Sequence, residues 1–151
     1  MQWTLAVKIA VIMSGFFLWL GMLTGVWKYY QIRQSKNASA SHYVDIAHRS
    51  SLLYAPASLI LAVMAYLSLW SARVNLICVL LNLVFFSLSI AAYILHGVLK
   101  DTHNQFKVPH QLGTRQIPTG LMHAAMQLLI VAEVGATGLL LCGMILGLLS
   151  R

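Results

Sequence analysis

The six histidines of this 151-residue chain carry the side chains best suited to bind a metal or to exchange protons near neutral pH. Three of them lie in polar segments, where a solvated loop residue is the ordinary outcome: His42, His103 and His110. The other three lie at the edges of apolar segments: His48, His96 and His123. No two histidines have the His-x-x-x-His spacing with which one helix nucleates a bare metal site. The three edge histidines are therefore the candidates for a shared ligand site.

The apolar segment that ends near His96 also carries a line of polar side chains. Asn82, Ser89, Tyr93 and His96 are spaced seven, four and three residues apart, which places them on one face of a helix. Polar side chains in an apolar membrane helix normally face the interior of a bundle or a cavity. We name these four residues the polar stripe and expect it to face inward.

The last apolar segment carries a second set of polar residues. His123 and Gln127 are one helical turn apart, and Thr137 lies near the same line. Glu133 lies roughly 15 Å deeper than His123 by helix rise. A carboxylate at that depth in a bilayer costs on the order of 3 kcal/mol, so a partner or a role is expected. A protonated structural carboxyl and a functional one both fit the sequence.

Four apolar segments position these residues. Each is long enough to cross the hydrocarbon core of a bilayer, which takes roughly 20 residues: 5–27, 51–71, 74–99 and 120–149. Only 9% of the residues are charged, whereas a soluble domain has about a quarter. The first segment contains Lys8 and precedes no small-residue cleavage site, so we expect a retained helix. The sequence predicts one all-α membrane domain over residues 1–151, an integral membrane four-helix bundle.

The basic residues indicate the orientation of this bundle. Four spans place residues 28–50 and 100–119 on one side, and seven of the ten basic residues lie there. The positive-inside rule then places both loops, and with them all six histidines, in the cytoplasm. We expect a bacterial inner membrane protein. The net charge of +7 is explained by lipid headgroups at the helix ends, so nucleic acid is not an expected partner.

Two pairs of glycines are spaced one helical turn apart, Gly21 with Gly25 and Gly143 with Gly147. Such pairs let membrane helices approach closely, although glycine is also common in membrane helices generally. Four helices enclose a narrow interior, so a large ligand would fit more readily between subunits than within one. Haem iron suits histidines at the edge of such an apolar slot, because haem needs only one protein ligand on each side. A bare metal held by the edge histidines remains the alternative.

Residues 47–54, Ala-His-Arg-Ser-Ser-Leu-Leu-Tyr, lead directly into the second apolar segment and resemble the corresponding segment of the styrene oxide isomerase family. Members of that family are small four-helix membrane proteins. They have a histidine just before a long apolar helix, a basic turn after it, and an Asn-Gln-Phe element before the fourth helix. The counterparts here are His48, Arg73 and residues 104–106, and their order and spacing match along most of the chain.

The resemblance implies a homotrimer in the lipid bilayer, with haem b held between neighbouring subunits and its iron ligated by His48. Ferric haem would act as a Lewis acid on the oxygen of a small hydrophobic epoxide. Ring opening toward a benzylic cation and a hydride shift would then give an aldehyde, without net redox change. The implied activity is that of an isomerase. We expect Arg49, His96 and His123 to border the cofactor.

The chain departs from the family pattern in the substrate pocket. Tyr54 stands six residues after the ligand histidine, where the family has asparagine, and the third helix lacks the family's aspartate. Asn82 is the nearest polar counterpart, and Tyr93 is the nearest tyrosine, offset by about two positions. The resemblance makes Tyr54, Asn82 and Tyr93 the candidate catalytic residues. The haem-ligand position carries over more directly than the pocket.

Two other functions fit the same residues. A non-enzymatic electron-transfer or redox-sensing subunit would hold haem between two histidines, His48 with either His96 or His123. A small proton-coupled or scaffold protein without cofactor would use Glu133 and the polar stripe.

Overall fold

A computed structural model describes residues 3–150 of the chain. The chain forms four long helices and one small hairpin: α1 Leu5–Gln34, α2 His42–Leu67, α3 Ala72–Leu99, β1 His110–Leu112, β2 Arg115–Ile117 and α4 Thr119–Leu149. Each helix is long and apolar enough to cross a membrane. The predicted all-α, four-helix class is confirmed, and these four helices support the assignment to integral membrane proteins.

Two helices extend further than the apolar segments predicted. α1 continues to Gln34 rather than ending at residue 27. α2 begins at His42 rather than at residue 51, so the helical approach that the sequence indicates over residues 42–49 is part of α2 itself. The added residues 28–34 contain no glycine or proline, so the helix has no local reason to stop where the apolar segment ends. The polar connection between α1 and α2 is therefore confined to residues 35–41. His48 lies inside α2 and not ahead of it.

Pro109 and Pro118 favour an irregular connection between α3 and α4, but the connection contains a short β-hairpin. β1 and β2 pair antiparallel, with His110 opposite Ile117 and Leu112 opposite Arg115. Gly113 opens the two-residue turn with a φ of 60°, a conformation that glycine adopts without strain. The hairpin is tied to the segment that directly follows α3, since the Gly113 N–H donates a hydrogen bond to the side chain of Asp101.

Both glycine pairs lie where helices approach closely, as one of the two interpretations of their spacing predicted. A Cβ on Gly21 would lie 2.6 Å from the Leu52 side chain, so α1 packs directly against α2 there. On α4, a Cβ on Gly143 would overlap Trp70, and one on Gly147 would overlap the Leu67 carbonyl. The turn between α2 and α3 therefore sits on the glycine surface of α4.

The outward surface of the helices is strongly apolar. Large side chains such as Leu53 and Val134 are 67% and 69% exposed. A soluble monomer rarely exposes contiguous apolar surface on this scale, whereas lipid covers it in a membrane. The interior is narrow and filled mainly by small and medium side chains, among them the fully buried Val79, Ile90 and Leu140.

Candidate functional site

His48 faces α1 from the second turn of α2. Its Nδ1 lies 2.8 Å from the carbonyl oxygen of Gly21. A carbonyl oxygen can only accept, so Nδ1 carries the proton and Nε2 of the neutral ring keeps its lone pair. Nothing in residues 3–150 hydrogen-bonds to Nε2. Histidines that ligate metals are held in this way, with the second nitrogen fixed by a protein acceptor.

The glycine pair of α1 makes room for this imidazole. A Cβ on Gly25 would lie 2.8 Å from Cε1 and 3.1 Å from Nδ1 of His48. Gly21, one turn earlier, supplies the carbonyl that accepts from the ring. The sequence thus positions His48 by removing two side chains from the opposite helix.

The charges beside His48 form a small cluster. Asp45 pairs with Lys28 at 2.5 Å and with Arg49 at 3.3 Å. Two cations against one carboxylate leave one net positive charge at this end of the helix pair. The Arg49 side chain is 70% exposed, so its ion pair holds it weakly and its guanidinium is free to meet another anion.

The polar stripe of α3 faces inward, as predicted. Asn82 is buried, its Oδ1 accepts from the Thr137 hydroxyl of α4 at 2.9 Å, and its amide donates to the Cys78 carbonyl. Further along, Ser89 forms a hydrogen bond with Tyr54 of α2. These contacts connect α3 to α4 at Asn82 and to α2 at Ser89. We call the polar stripe and these partners the polar interior.

The aromatic side chains beside this stripe are closely packed. Tyr54 stacks on Phe86 with ring centroids 4.2 Å apart, and Tyr93 stacks on Tyr43 at 6.2 Å. Glu133 of α4 is close enough to interact electrostatically with both Tyr54 and Tyr93. Its Oε1 is buried and has no hydrogen-bond partner within residues 3–150. Glu133 was expected to have a partner or a role. Among residues 3–150 it has electrostatic neighbours, but its Oε1 has no hydrogen bond.

An apolar cavity of about 340 Å³ lies between α3, the hairpin and the first half of α4. Three members of the polar stripe line it, namely Ser89, Tyr93 and His96. Most of the remaining wall is apolar, including Leu88, Phe106, Met122, Met126 and Leu129. Small-molecule sites combine an apolar wall with a few polar groups in this way.

His96 stands at the boundary of this cavity and is tied to Asp101. Its Nδ1 lies 2.8 Å from Oδ1 of Asp101, and the two side chains are 6% and 4% exposed. The other oxygen, Oδ2, accepts from the Gly113 N–H at 2.6 Å. Burial raises the pKa of Asp101, but the hydrogen bonds from Gly113 and His96 outweigh it, so the pKa lies below its usual value.

His110 differs from the prediction that it is a solvated loop residue. It is 4% exposed, its Nδ1 donates to the Gln105 carbonyl at 3.0 Å, and its Nε2 is buried without a partner within residues 3–150. The sequence gives no clear signal of this burial, because the nearby apolar residues Phe106 and Val108 are themselves exposed. His42 and His103 are exposed.

The predicted site residues fall into three places. Tyr54, Asn82, Tyr93 and His96 belong to the polar interior, His48 and Arg49 lie on the side of α1, and His123 is exposed on α4. No hydrogen bond or ring contact joins His48 to Tyr54, Asn82 or Tyr93 within the described chain. Their roles stay predictions, and one subunit alone does not assemble them around one ligand.

The fold and these contacts define an all-α bundle of four membrane-length helices with histidines concentrated at one end. No family model matches the chain, and comparisons with curated proteins and with solved structures found no match.

Proposed function

We propose that this protein is a haem-b-binding membrane protein of the styrene oxide isomerase type, with His48 as the axial ligand of the iron. The observation that carries the proposal is the hydrogen bond from His48 Nδ1 to the Gly21 carbonyl. That bond leaves Nε2 as an unprotonated donor atom for a metal.

The surroundings of His48 fit a haem group. Met22 and Val26 follow the two glycines, Leu52 lies one turn after His48, and all three are exposed apolar side chains. They offer the apolar surface that a macrocycle needs. Arg49 and Lys28 supply positive charge at the same end of the helix pair, where the two propionates of haem b would be neutralised.

The proposed site lies between subunits of a homotrimer. The cavities within one chain are small, and the candidate catalytic residues do not approach His48 in the same chain. Contact with a second copy would cover the apolar surface around His48 and could bring a neighbouring polar interior to it. When bound, ferric haem would supply the Lewis acid for isomerisation of a small hydrophobic epoxide. The chain would contribute the apolar surface around His48, from which water would be excluded.

The test is the optical spectrum of protein expressed with haem precursor and purified in detergent. We expect a Soret band in the wild type and its loss in His48→Ala, with the helical circular dichroism unchanged. His103→Ala is the matched control, because His103 is an exposed loop histidine that makes no hydrogen bond in the described chain and is not a candidate ligand. A colourless wild type, or a full Soret band in His48→Ala, would refute the proposal. Conversion of styrene oxide to an aldehyde then tests the activity.

The alternative of bis-histidine ligation for electron transfer needs a second subunit. Within the described residues His96 is engaged by Asp101 and has no contact with His48, and His123 is exposed on α4. A low-spin spectrum in both oxidation states would favour this alternative over a catalytic haem with an open sixth position.

A further inference from the structure

His96 has a fixed protonation pattern that the proposed haem site does not use. The Asp101 carboxylate can only accept, so the proton of the neutral imidazole lies on Nδ1 and the lone pair lies on Nε2. Asp101 cannot release the ring easily, because its second oxygen is held by the Gly113 N–H and its side chain is buried. The hairpin therefore fixes the tautomer of the neutral ring, in which Nε2 is the hydrogen-bond acceptor.

The lone pair of Nε2 has no partner among residues 3–150. Because Nδ1 is bonded to Asp101, Nε2 is the one polar atom of the ring that can bind another group. His96 lines the apolar cavity of about 340 Å³. His96 also lines a smaller cavity of about 180 Å³, together with Lys100 and His103. The neutral His96 ring is thus a hydrogen-bond acceptor among the mostly apolar residues that line the cavity.

Tyr93 completes the polar part of this cavity. It lies one turn before His96 on the same face of α3 and lines the same cavity, and no hydrogen bond to its hydroxyl forms within the described chain. Ser89 is less available, because it is already bonded to Tyr54. His96 and Tyr93 thus place one hydrogen-bond acceptor and one hydroxyl group among the side chains that line the same apolar cavity.

We propose that this cavity binds a small apolar molecule carrying one hydroxyl group, a phenol or an apolar alcohol, whose O–H donates to Nε2 of His96. The hydroxyl oxygen of the ligand can accept from Tyr93 at the same time. An ether or an epoxide of the same shape has no donor and leaves Nε2 unpaired. One such hydrogen bond corresponds to about a tenfold difference in affinity.

The test compares naphthol with methoxynaphthalene, two ligands with the same ring system and with or without a donor. Binding to the detergent-purified protein is measured by ligand fluorescence. We expect the wild type to prefer naphthol about tenfold, and His96→Asn to lose that preference. Asparagine can still donate to Asp101 as Nδ1 does, but it lacks Nε2. Because His96→Asn lacks Nε2, any preference that it still shows measures how differently the two ligands partition into the detergent micelle.

His123→Asn is the matched control and should keep the wild-type preference, because His123 does not line the cavity. His48→Ala should also keep it, because the inference does not rest on the proposed haem. If His48→Ala removes the Soret band but leaves naphthol binding intact, the two sites are separate. If the protein binds no haem at all, this test still stands.

Asp101→Asn gives a second, independent test. The Gly113 N–H is a fixed donor, so the amide oxygen must face it and the NH2 group must face Nδ1 of His96. The imidazole proton then moves to Nε2, which ¹⁵N NMR of the ring detects, and the preference for naphthol disappears. Equal binding of both ligands to the wild type, or an unchanged preference in either variant, would overturn the proposal.

Discussion

The substitution Gly25→Ala tests whether α1 holds the His48 ring in a defined position or whether the ring only fills a gap between α1 and α2. The added methyl carbon would lie 2.8 Å from Cε1 and 3.1 Å from Nδ1 of His48, well inside contact distance. The ring must move away from α1, and its 2.8 Å hydrogen bond to the Gly21 carbonyl must lengthen. Gly25→Ala therefore displaces His48, the proposed iron ligand, without replacing it.

Its magnitude follows from three contributions. Overpacking costs about 1–3 kcal/mol, the lost hydrogen bond costs about 1 kcal/mol, and the better helix propensity of alanine returns about 1 kcal/mol. The net loss of stability is about 1–3 kcal/mol by this sum. Loss of the bond that orients a metal-binding histidine lowers metal affinity about 10–100-fold.

Thermal unfolding in detergent is monitored by size-exclusion chromatography of heated samples. Haem content is measured separately, as Soret absorbance per protein. Gly15→Ala is the control in the same helix, because a Cβ there meets nothing within 4 Å. It should be unchanged or up to about 1 kcal/mol more stable. If Gly25→Ala unfolds at the temperature of Gly15→Ala and retains full haem, the packing argument for His48 is refuted.

Two further predictions concern the polar contacts. The lowered pKa of Asp101 gives stability that is complete above its unfolded value of about 3.8 and is lost as the pH falls through the folded pKa. Wild-type unfolding temperatures should therefore drop in that acid range, whereas Asp101→Asn should lack this component, and identical pH profiles would contradict the assignment. Thr137→Val should cost about 1 kcal/mol, because it leaves the buried Oδ1 of Asn82 unpaired. The double variant Asn82→Leu with Thr137→Val should recover part of that loss, and strictly additive losses would show that the two side chains are not coupled.

The sequence predicted the parts of this protein that hydropathy and helical spacing determine. The four helices follow from the length of the apolar segments, and the inward direction of Asn82 and His96 follows from their spacing on α3. Hydropathy reports where lipid surrounds a helix but not where the helix ends. That is why the extension of α1 to Gln34 was missed, whereas the helical spacing of residues 42–49 did indicate the polar first turns of α2.

The pairing of His96 with Asp101 could not be predicted from spacing. The two residues are separated by the end of α3, where Lys100 adopts a left-handed conformation with a φ of 52°. That conformation ends the helix, and Asp101 then reaches back to His96 while it also holds the hairpin turn at Gly113. The contact depends on the fold of residues 101–117 as a whole. The burial of His110 was missed for the same reason.

The two ends of the bundle are built differently. At the turn between α2 and α3, the Leu69 N–H donates to the Gly143 carbonyl and the Trp70 indole donates to the Leu139 carbonyl. Backbone carbonyls of α4 accept both bonds, so substitutions of α4 side chains that spare the glycines leave this junction in place. At the opposite end, side chains such as His48, Tyr43 and Asp101 make the connections. Single substitutions can therefore change the connections at the histidine end, whereas backbone hydrogen bonds hold the other end together.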